Sequence, residues 1–262
     1  RKGLISACSI GAYGLGSLGF KYINLLLLSS NGLETTFQLW GLIAMSMVLV
    51  GGMLMKDAPK QAAAVQHSES RDFTLAEAMR KPQYWILTAC MSGLYVIGVA
   101  KDIGEKMVGL PAVVAANAVA IIAMANLGGR LVLGILSDKM SRIRVITIAQ
   151  LITLAGMALL LFVPLNANLF FVAVACVAFS FGGTITVYPS LVSDFFGLNN
   201  LTKNYGVIYL GFGLGSIIGS IVASLFGGFM ATFNLILVLL VVALVLSLTI
   251  RLPAPVAAVD RA

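Results

Sequence analysis

Residues 112–144 read AVVAANAVAIIAMANLGGRLVLGILSDKMSRIR. Between Met107 and Ser137 a single charged residue, Arg130, interrupts a run of apolar and small residues. A helix rises about 1.5 Å per residue and must cover about 30 Å of hydrocarbon, so a membrane crossing takes roughly 20 such residues. This run is long enough. An arginine near the middle of a crossing costs roughly 2.5–3.5 kcal/mol on insertion scales, and residues of that kind face polar cavities and mark substrate or ion paths. The stretch therefore reads as a transmembrane helix with one binding group in it.

Outward from this helix the chain keeps the same character. Of 262 residues 60% are hydrophobic and 10% charged, far from the roughly 45–50% apolar and 25% charged of soluble domains. Mean hydropathy is +1.01. An all-α membrane protein is expected, with eight spans near 4–28, 36–55, 83–100, 112–136, 145–164, 168–188, 205–226 and 231–250. The net charge of +7 does not point to nucleic acid. Threading the spans in alternation puts 13 of the 17 cations on one side, among them Arg1, Lys2, Lys56, Lys60, Lys139, Arg142, Arg144, Lys203 and Arg251. That side is the cytoplasm. Cys8, Cys90 and Cys176 all fall inside spans, at spacings that fit neither a zinc site nor a disulfide framework, and read as small buried hydrophobes. Arg1-Lys2-Gly3 runs straight into a full-length span instead of the short apolar core of a signal peptide.

An internal repeat organises the spans. Gly11-Ala12-Tyr13-Gly14-Leu15-Gly16-Ser17 in the first span matches Leu210-Gly211-Phe212-Gly213-Leu214-Gly215-Ser216 in the seventh, and Thr36-Phe37-Gln38-Leu39 matches Thr232-Phe233-Asn234-Leu235 in the eighth. Duplicated units of this kind are a common transporter architecture. Spans three to eight then form one six-helix unit, and the first two are the end of an equivalent unit, as helices five to twelve of twelve. The expected division is 1–55 for the last two helices of the N-terminal half, 56–81 for a cytoplasmic linker and 82–262 for the C-terminal half. Pro59 and the sole histidine, His67, lie in the linker, the histidine as a solvated residue. Thr74-Leu75-Ala76-Glu77 has the spacing of a capping box and predicts a short interfacial helix before Pro82.

The segment from Gly129-Arg130 through Gly134-Ile135-Leu136-Ser137-Asp138-Lys139-Met140-Ser141-Arg142-Ile143-Arg144 resembles the signature between helices eight and nine of the major facilitator superfamily. Ser141 stands where that family usually has glycine. The resemblance implies a major facilitator fold and a conformational latch of Asp138, Lys139 and Arg142. Adding Phe181-Gly182-Gly183, Tyr188-Pro189-Ser190, Asp194-Phe195-Phe196-Gly197, Asn204-Tyr205-Gly206, Arg1-Lys2-Gly3-Leu4 and Lys81-Pro82-Gln83-Tyr84-Trp85, the chain resembles the oxalate/formate antiporter family, prokaryotic relatives of the monocarboxylate transporters. A multi-pass protein of the prokaryotic plasma membrane is implied.

At 100° per residue Val119, Ala123, Asn126, Arg130, Gly134 and Ser137 fall within about 40° of one direction, so small and polar groups surround the arginine. A guanidinium offers two parallel donors that match a carboxylate. In the resembling families an arginine at this place holds the substrate carboxylate, which assigns Arg130 that role, against the alternative of an interhelical anchor. Asn126 stands where animal monocarboxylate transporters carry an aspartate tied to proton coupling, and an amide does not titrate; it either orients the guanidinium, binds substrate, or packs. Ser180, Thr184 and Tyr188 form a polar stripe on the sixth span, Thr88, Ser92 and Tyr95 another on the third, and Ser9, Tyr13, Ser17 and Lys21 another on the first; singly each either lines a cavity or bonds a neighbouring helix, and together the stripes favour a cavity in which Thr184 and Tyr188 bind substrate. Lys101 either snorkels to the interface or draws anions inward, with Asp102 beside it. Oxalate-handling members carry a lysine where this chain has Phe212. The cargo then leans to a monocarboxylate, with Phe212 and Tyr209 as an apolar wall.

The expectation is a secondary active carrier of small organic anions such as formate, lactate or pyruvate, working by alternating access in the lipid bilayer, with a proton or a counter-anion as coupling partner. Oxalate:formate exchange is one alternative. Another is a major facilitator carrier of neutral solutes or drugs in which Arg130 is structural. No enzyme, metal, cofactor or nucleic-acid partner is expected, because no metal-ligand cluster, activated nucleophile or phosphate loop is legible.

Overall fold

The computed structural model describes residues 2–54, 72–91, 112–164, 166–225 and 229–253. All secondary structure among them is helical: α1 (Lys2–Leu54), α2 (Leu75–Met79), α3 (Pro82–Met91), α4 (Ala112–Lys139), α5 (Arg142–Phe162), α6 (Ala167–Phe196), α7 (Leu201–Leu225) and α8 (Phe229–Thr249). Helix stands in the described part of each of the eight expected spans, the third being described only to Met91. Within the described residues Gly32–Leu54, Ala120–Lys139, Arg142–Phe162 and Ala167–Phe196 are each long and apolar enough to cross a membrane, while the apolar stretch Phe233–Thr249 is shorter. The chain divides into two compact units, one of residues 1–15 and 70–262, the other of residues 16–69.

In the second unit the expected loop between the first two spans is replaced by a single-residue break. Helical bonding continues past residue 28, supported by Ser29 and Ser30 hydroxyls that donate to the Leu26 carbonyl at 2.9 and 2.8 Å. It breaks at Gly32, whose φ of 72° and ψ of 176° favour a residue without a Cβ. Trp40 Nε1 donates to Asn24 Oδ1 across the break. Leu42, Met45, Val48, Leu49 and Met53 are all exposed, as side chains facing lipid are.

The first unit is built on the crossing of α4 and α6. A Cβ at Gly129 would run into the Phe179 carbonyl, one at Gly182 into the Asn126 carbonyl, and one at Gly183 into the Leu133 side chain. The two backbones are therefore in direct contact, which only glycine at these positions allows. Lipid supplies no hydrophobic drive to bring helices together, so close packing at small residues has to do it. Two apolar clusters lie on either side of this crossing along the helices. One gathers Ala118, Met157, Phe170, Val174 and Phe233; the other gathers Leu133, Val145, Val187, Leu191, Phe195 and Phe196.

At the second cluster the capping box forms as expected: the Thr74 amide donates to Glu77 Oε2 at 2.8 Å and the Glu77 amide to Thr74 Oγ1 at 3.4 Å. It starts α2 and holds down the preceding strap. The Phe73 amide donates to the Phe196 carbonyl at 2.9 Å, Asn204 Nδ2 to the Phe73 carbonyl at 3.1 Å, and Tyr84 Oη to the Asn204 carbonyl at 3.1 Å. Asp72 accepts from the Asn199 amide at 3.1 Å. Phe73 is fully buried, its ring edge-on to Phe196 at 5.8 Å and under Lys81 Nζ at 5.6 Å. Helix α6 reaches this cluster because it continues through Pro189 to Phe196, eight residues beyond the expected end of the span.

Gly129→Ala and Gly182→Ala are each expected to destabilise the protein by about 1–3 kcal/mol, the range for overpacking, seen as a lower melting midpoint in detergent. Gly213→Ala is the control, since a Cβ there meets nothing within 4 Å. Asn204→Ala removes the donor to Phe73 and leaves a buried carbonyl unsatisfied, a loss of about 1–3 kcal/mol. Trypsin is expected to cut after Arg80 faster in that variant, and an unchanged cleavage rate contradicts the strap.

Candidate functional site

Arg130 lies in the middle of α4, 4% exposed, and Asn126 one turn before it is 8% exposed. Both sit on the helix face that the crossing buries. Arg130 Nε donates to Asn126 Oδ1 at 2.7 Å, and Arg130 Nη1 donates to the main-chain carbonyl of Ile10 in α1. Gly134 and Ser137 on the same face are buried too, whereas Met124, Val132 and Ile135 on the other side are exposed. The expected clustering of small and polar groups around the guanidinium is thus an inward face. Because Gly182 seats on the Asn126 carbonyl, the peptide that carries Asn126 is fixed by the crossing itself.

On α6 the stripe Ser180, Thr184 and Tyr188 is buried throughout. Ser180 Oγ donates back to the Cys176 carbonyl at 2.9 Å. Tyr188 Oη donates to the Leu87 carbonyl at 3.0 Å, an interhelical bond to α3. Gly211 of the seventh span allows a similar approach, since a Cβ there would meet the Thr88 carbonyl of α3. Small residues and the hydroxyls of Tyr188 and Tyr84 therefore bind α3 to α6 and α7.

Tyr209 and Phe212 come together on α7 with ring centroids 5.9 Å apart, Tyr205 lies tilted against Tyr209 at 5.7 Å, and Phe181 of α6 meets Phe212 at 5.7 Å. Aromatic pairs with centroids in the range of roughly 4.5–7 Å attract beyond the area they bury. Phe181 is a member of this wall that sequence reading quoted only as part of a motif. Its aromatic partner is distant in sequence, so no local signal marks it.

The turn after α4 differs in detail from the expected loop. Asp138 and Lys139 lie in the last turn of α4 and are exposed, leaving only Met140 and Ser141 between helices. Ser141 has φ −60° and ψ 133°, extended backbone that any residue adopts, so this turn does not need glycine. Arg142 pairs with Asp194 near the end of α6. Asp194 was legible only as a motif residue; its role as a counter-charge depends on α6 running past Pro189. Lys101, Asp102, Ser92 and Tyr95 lie outside the described residues, as does the linker stretch with Pro59 and His67. The side chains of Ser9, Tyr13, Ser17 and Lys21 lie outside them too. Cys8, Cys90 and Cys176 are free thiols, Cys8 exposed and the other two half-buried, where all three were expected to be buried. No group of metal-ligating side chains is found among the described residues.

The chain matches the family model of the Major Facilitator Superfamily twice, over residues 1–197 and 94–262. It is 68% identical over 223 residues to an uncharacterized MFS-type transporter, YhjX, of Escherichia coli strain K12, covering 83% of this chain and 56% of the relative. To the oxalate:formate antiporter of Oxalobacter formigenes it is 30% identical over 216 residues, covering 80% of this chain and 51% of the relative. The chain spans about half the length of these curated relatives. With helix in the described part of every predicted span and a family match that runs from one end to the other, this multi-pass membrane chain belongs to the major facilitator superfamily.

Proposed function

We propose that the chain is part of a secondary active carrier of small organic anions, with Arg130 as the carboxylate receptor. The observation that carries the reading is the guanidinium itself, buried in mid-helix and held by neutral oxygens of Asn126 and Ile10. A guanidinium carries five N–H donors in a planar fork that matches a carboxylate, and charge-assisted bonds are roughly twice as strong as neutral ones. Asn126 steers the guanidinium through Nε. Tyr209 and Phe212, with Phe181, form the apolar side of the path, and Thr184 lines its α6 side, while Tyr188 secures α3. Lys101 draws anions toward the centre. Asp138, Lys139 and Arg142 latch one conformation, Arg142 through Asp194. Residues 1–55 end the N-terminal half, residues 56–81 link the halves, and residues 82–262 are the C-terminal half, set in a prokaryotic plasma membrane.

A monocarboxylate is the favoured cargo because the aromatic wall at Phe212 supplies no second cation. Oxalate:formate exchange is the second reading, favoured by the 30% identical relative that bears that name. A proton or a counter-anion completes the cycle in either case.

Uptake by the reconstituted full-length carrier tests both. Arg130→Ala is expected to lower uptake of formate, lactate or pyruvate about 10–100-fold, taking about 1.5–3 kcal/mol for a charged hydrogen bond and 1.4 kcal/mol per factor of ten. Undiminished transport of all of them by this variant would remove the assignment. Phe212→Lys is expected to shift competition from formate toward oxalate, since it adds a cation for a second carboxylate. If wild type already prefers oxalate, the exchange reading replaces the monocarboxylate one.

A further inference from the structure

The end of α8 and the turn between α2 and α3 meet at one corner of the first unit. Gln83 Nε2 donates to the Arg251 carbonyl at 3.3 Å, and Pro253 beyond it is buried, so the chain leaving α8 is held at the first turn of α3. Arg80 stands three residues before Gln83, and two arginines distant in sequence thereby enter the same corner. Both are exposed, and neither is ion-paired within the described residues. The carboxylate nearest in sequence, Glu77, is committed to the capping box, where its Oε2 accepts from the Thr74 amide and hydroxyl at 2.8 and 2.9 Å. Lys81 is committed as well, with Nζ 5.6 Å from the centre of the Phe73 ring. Two guanidiniums are left for an anion from outside the chain.

What surrounds the corner says which anion it fits. Apolar α8 ends at Thr249, just before Arg251, and α3 begins at Pro82, just after Arg80, so both arginines stand where apolar helix gives way to loop. That is the level of the lipid headgroups. Trp85, Leu248 and Leu252 around them are 53%, 69% and 47% exposed. Trp85 Nε1 donates to the Met79 carbonyl at 2.8 Å, which fixes the indole against the α2–α3 turn. Tryptophan collects at this level of the bilayer, its ring against acyl chains and its polar edge toward the headgroups. We propose that Arg80 and Arg251 form a headgroup site for an anionic phospholipid, the guanidiniums taking its phosphate while Trp85 and Leu248 lie along its acyl chains. A guanidinium meets phosphate oxygens two at a time and is more weakly hydrated than an ammonium, and basic pockets between spanning helices bind such headgroups. One phosphate shared by both arginines ties the start of α3 to the end of α8, beside the single Gln83 bond. The site uses neither Arg130 nor the aromatic wall, so it stands or falls apart from the carboxylate reading.

Native mass spectrometry of the full-length carrier in detergent counts the lipids it holds. Phosphatidylglycerol and phosphatidylcholine are titrated separately, and melting midpoints are followed with each lipid and with millimolar inorganic phosphate. Phosphatidylglycerol is expected to bind and to raise the midpoint, and phosphatidylcholine and inorganic phosphate to leave it where it was. Arg80→Gln and Arg251→Gln are each expected to weaken phosphatidylglycerol binding about fivefold. The control is Lys139→Gln, which removes an exposed cation from the last turn of α4 and is expected to change nothing. Should a glutamine variant fail to fold, Arg80→Lys with Arg251→Lys keeps the charge and loses the two-donor fork, and is expected to bind phosphatidylglycerol more weakly than wild type. Unchanged phosphatidylglycerol binding in the Arg80 and Arg251 variants overturns the site. An equal loss with Lys139→Gln overturns it too, in favour of diffuse attraction to the whole basic edge. Stabilisation by inorganic phosphate as large as that by phosphatidylglycerol replaces the lipid with a soluble anion.

Discussion

The backbone contact between α4 and α6 is the constraint on which the rest of the first unit depends. Gly129 and Gly182 bring main-chain atoms of one helix against those of the other, and Gly183 admits the Leu133 side chain beside them. Inside a bilayer the usual reason for helices to associate is missing, because lipid tails are as apolar as leucine. Shape has to supply what hydrophobic burial supplies in water. A single methyl at either glycine enters the neighbouring peptide, which makes the crossing sensitive to the smallest change of side chain. The apolar clusters beyond the crossing then fill the space that its geometry leaves, with Phe170 and Phe233 in one cluster and Phe195 and Phe196 in the other.

That constraint also explains why the polar residues are where they are. Between the two apolar clusters the described middle of α4 and α6 carries Asn126, Arg130, Ser180 and Thr184, all buried. Glycine and polar side chains occupy the same level for related reasons. Close backbones leave no room for large apolar groups on the contact face, and small polar groups complete their bonds within a turn or with the nearest carbonyl. Ser180 does so with Cys176, and Arg130 with Asn126. The exposed sides of the same helices stay apolar, as Val132, Ile135 and Val172 show.

Where α6 leaves this level it is tied down by a different chemistry. Phe73, Tyr84 and Asn204 make a hydrogen-bonded strap around the ends of α6 and α7, and Arg142 meets Asp194 close by. Such an exposed ion pair adds only about 0–1 kcal/mol. The buried amide and aromatic contacts therefore hold the strap.

Much of this was readable from residues alone because it depends on local periodicity. A run of apolar residues must be helical in lipid to satisfy its own backbone, so composition and span length determined the class, the helix positions and the inward face of Arg130. The Thr74–Glu77 capping box was equally local, and the family signature followed from residues close in sequence. Tertiary structure decided what those residues touch. Gly32 became a one-residue break where a loop was expected, because a positive φ lets helix resume at once. Tyr188 was assigned to the Leu87 carbonyl, Arg142 to Asp194, and Phe181 to Phe212, across about 100, 50 and 30 residues of chain respectively. The bond from Arg130 to Ile10 is of the same kind, since a main-chain carbonyl carries no residue-specific signal. Sequence by itself determined that a charge would be buried at residue 130, through the length and polarity of its helix. Only the packing of α1 and α6 against α4 decided which oxygens receive it, because hydrogen-bond partners are chosen by distance in space.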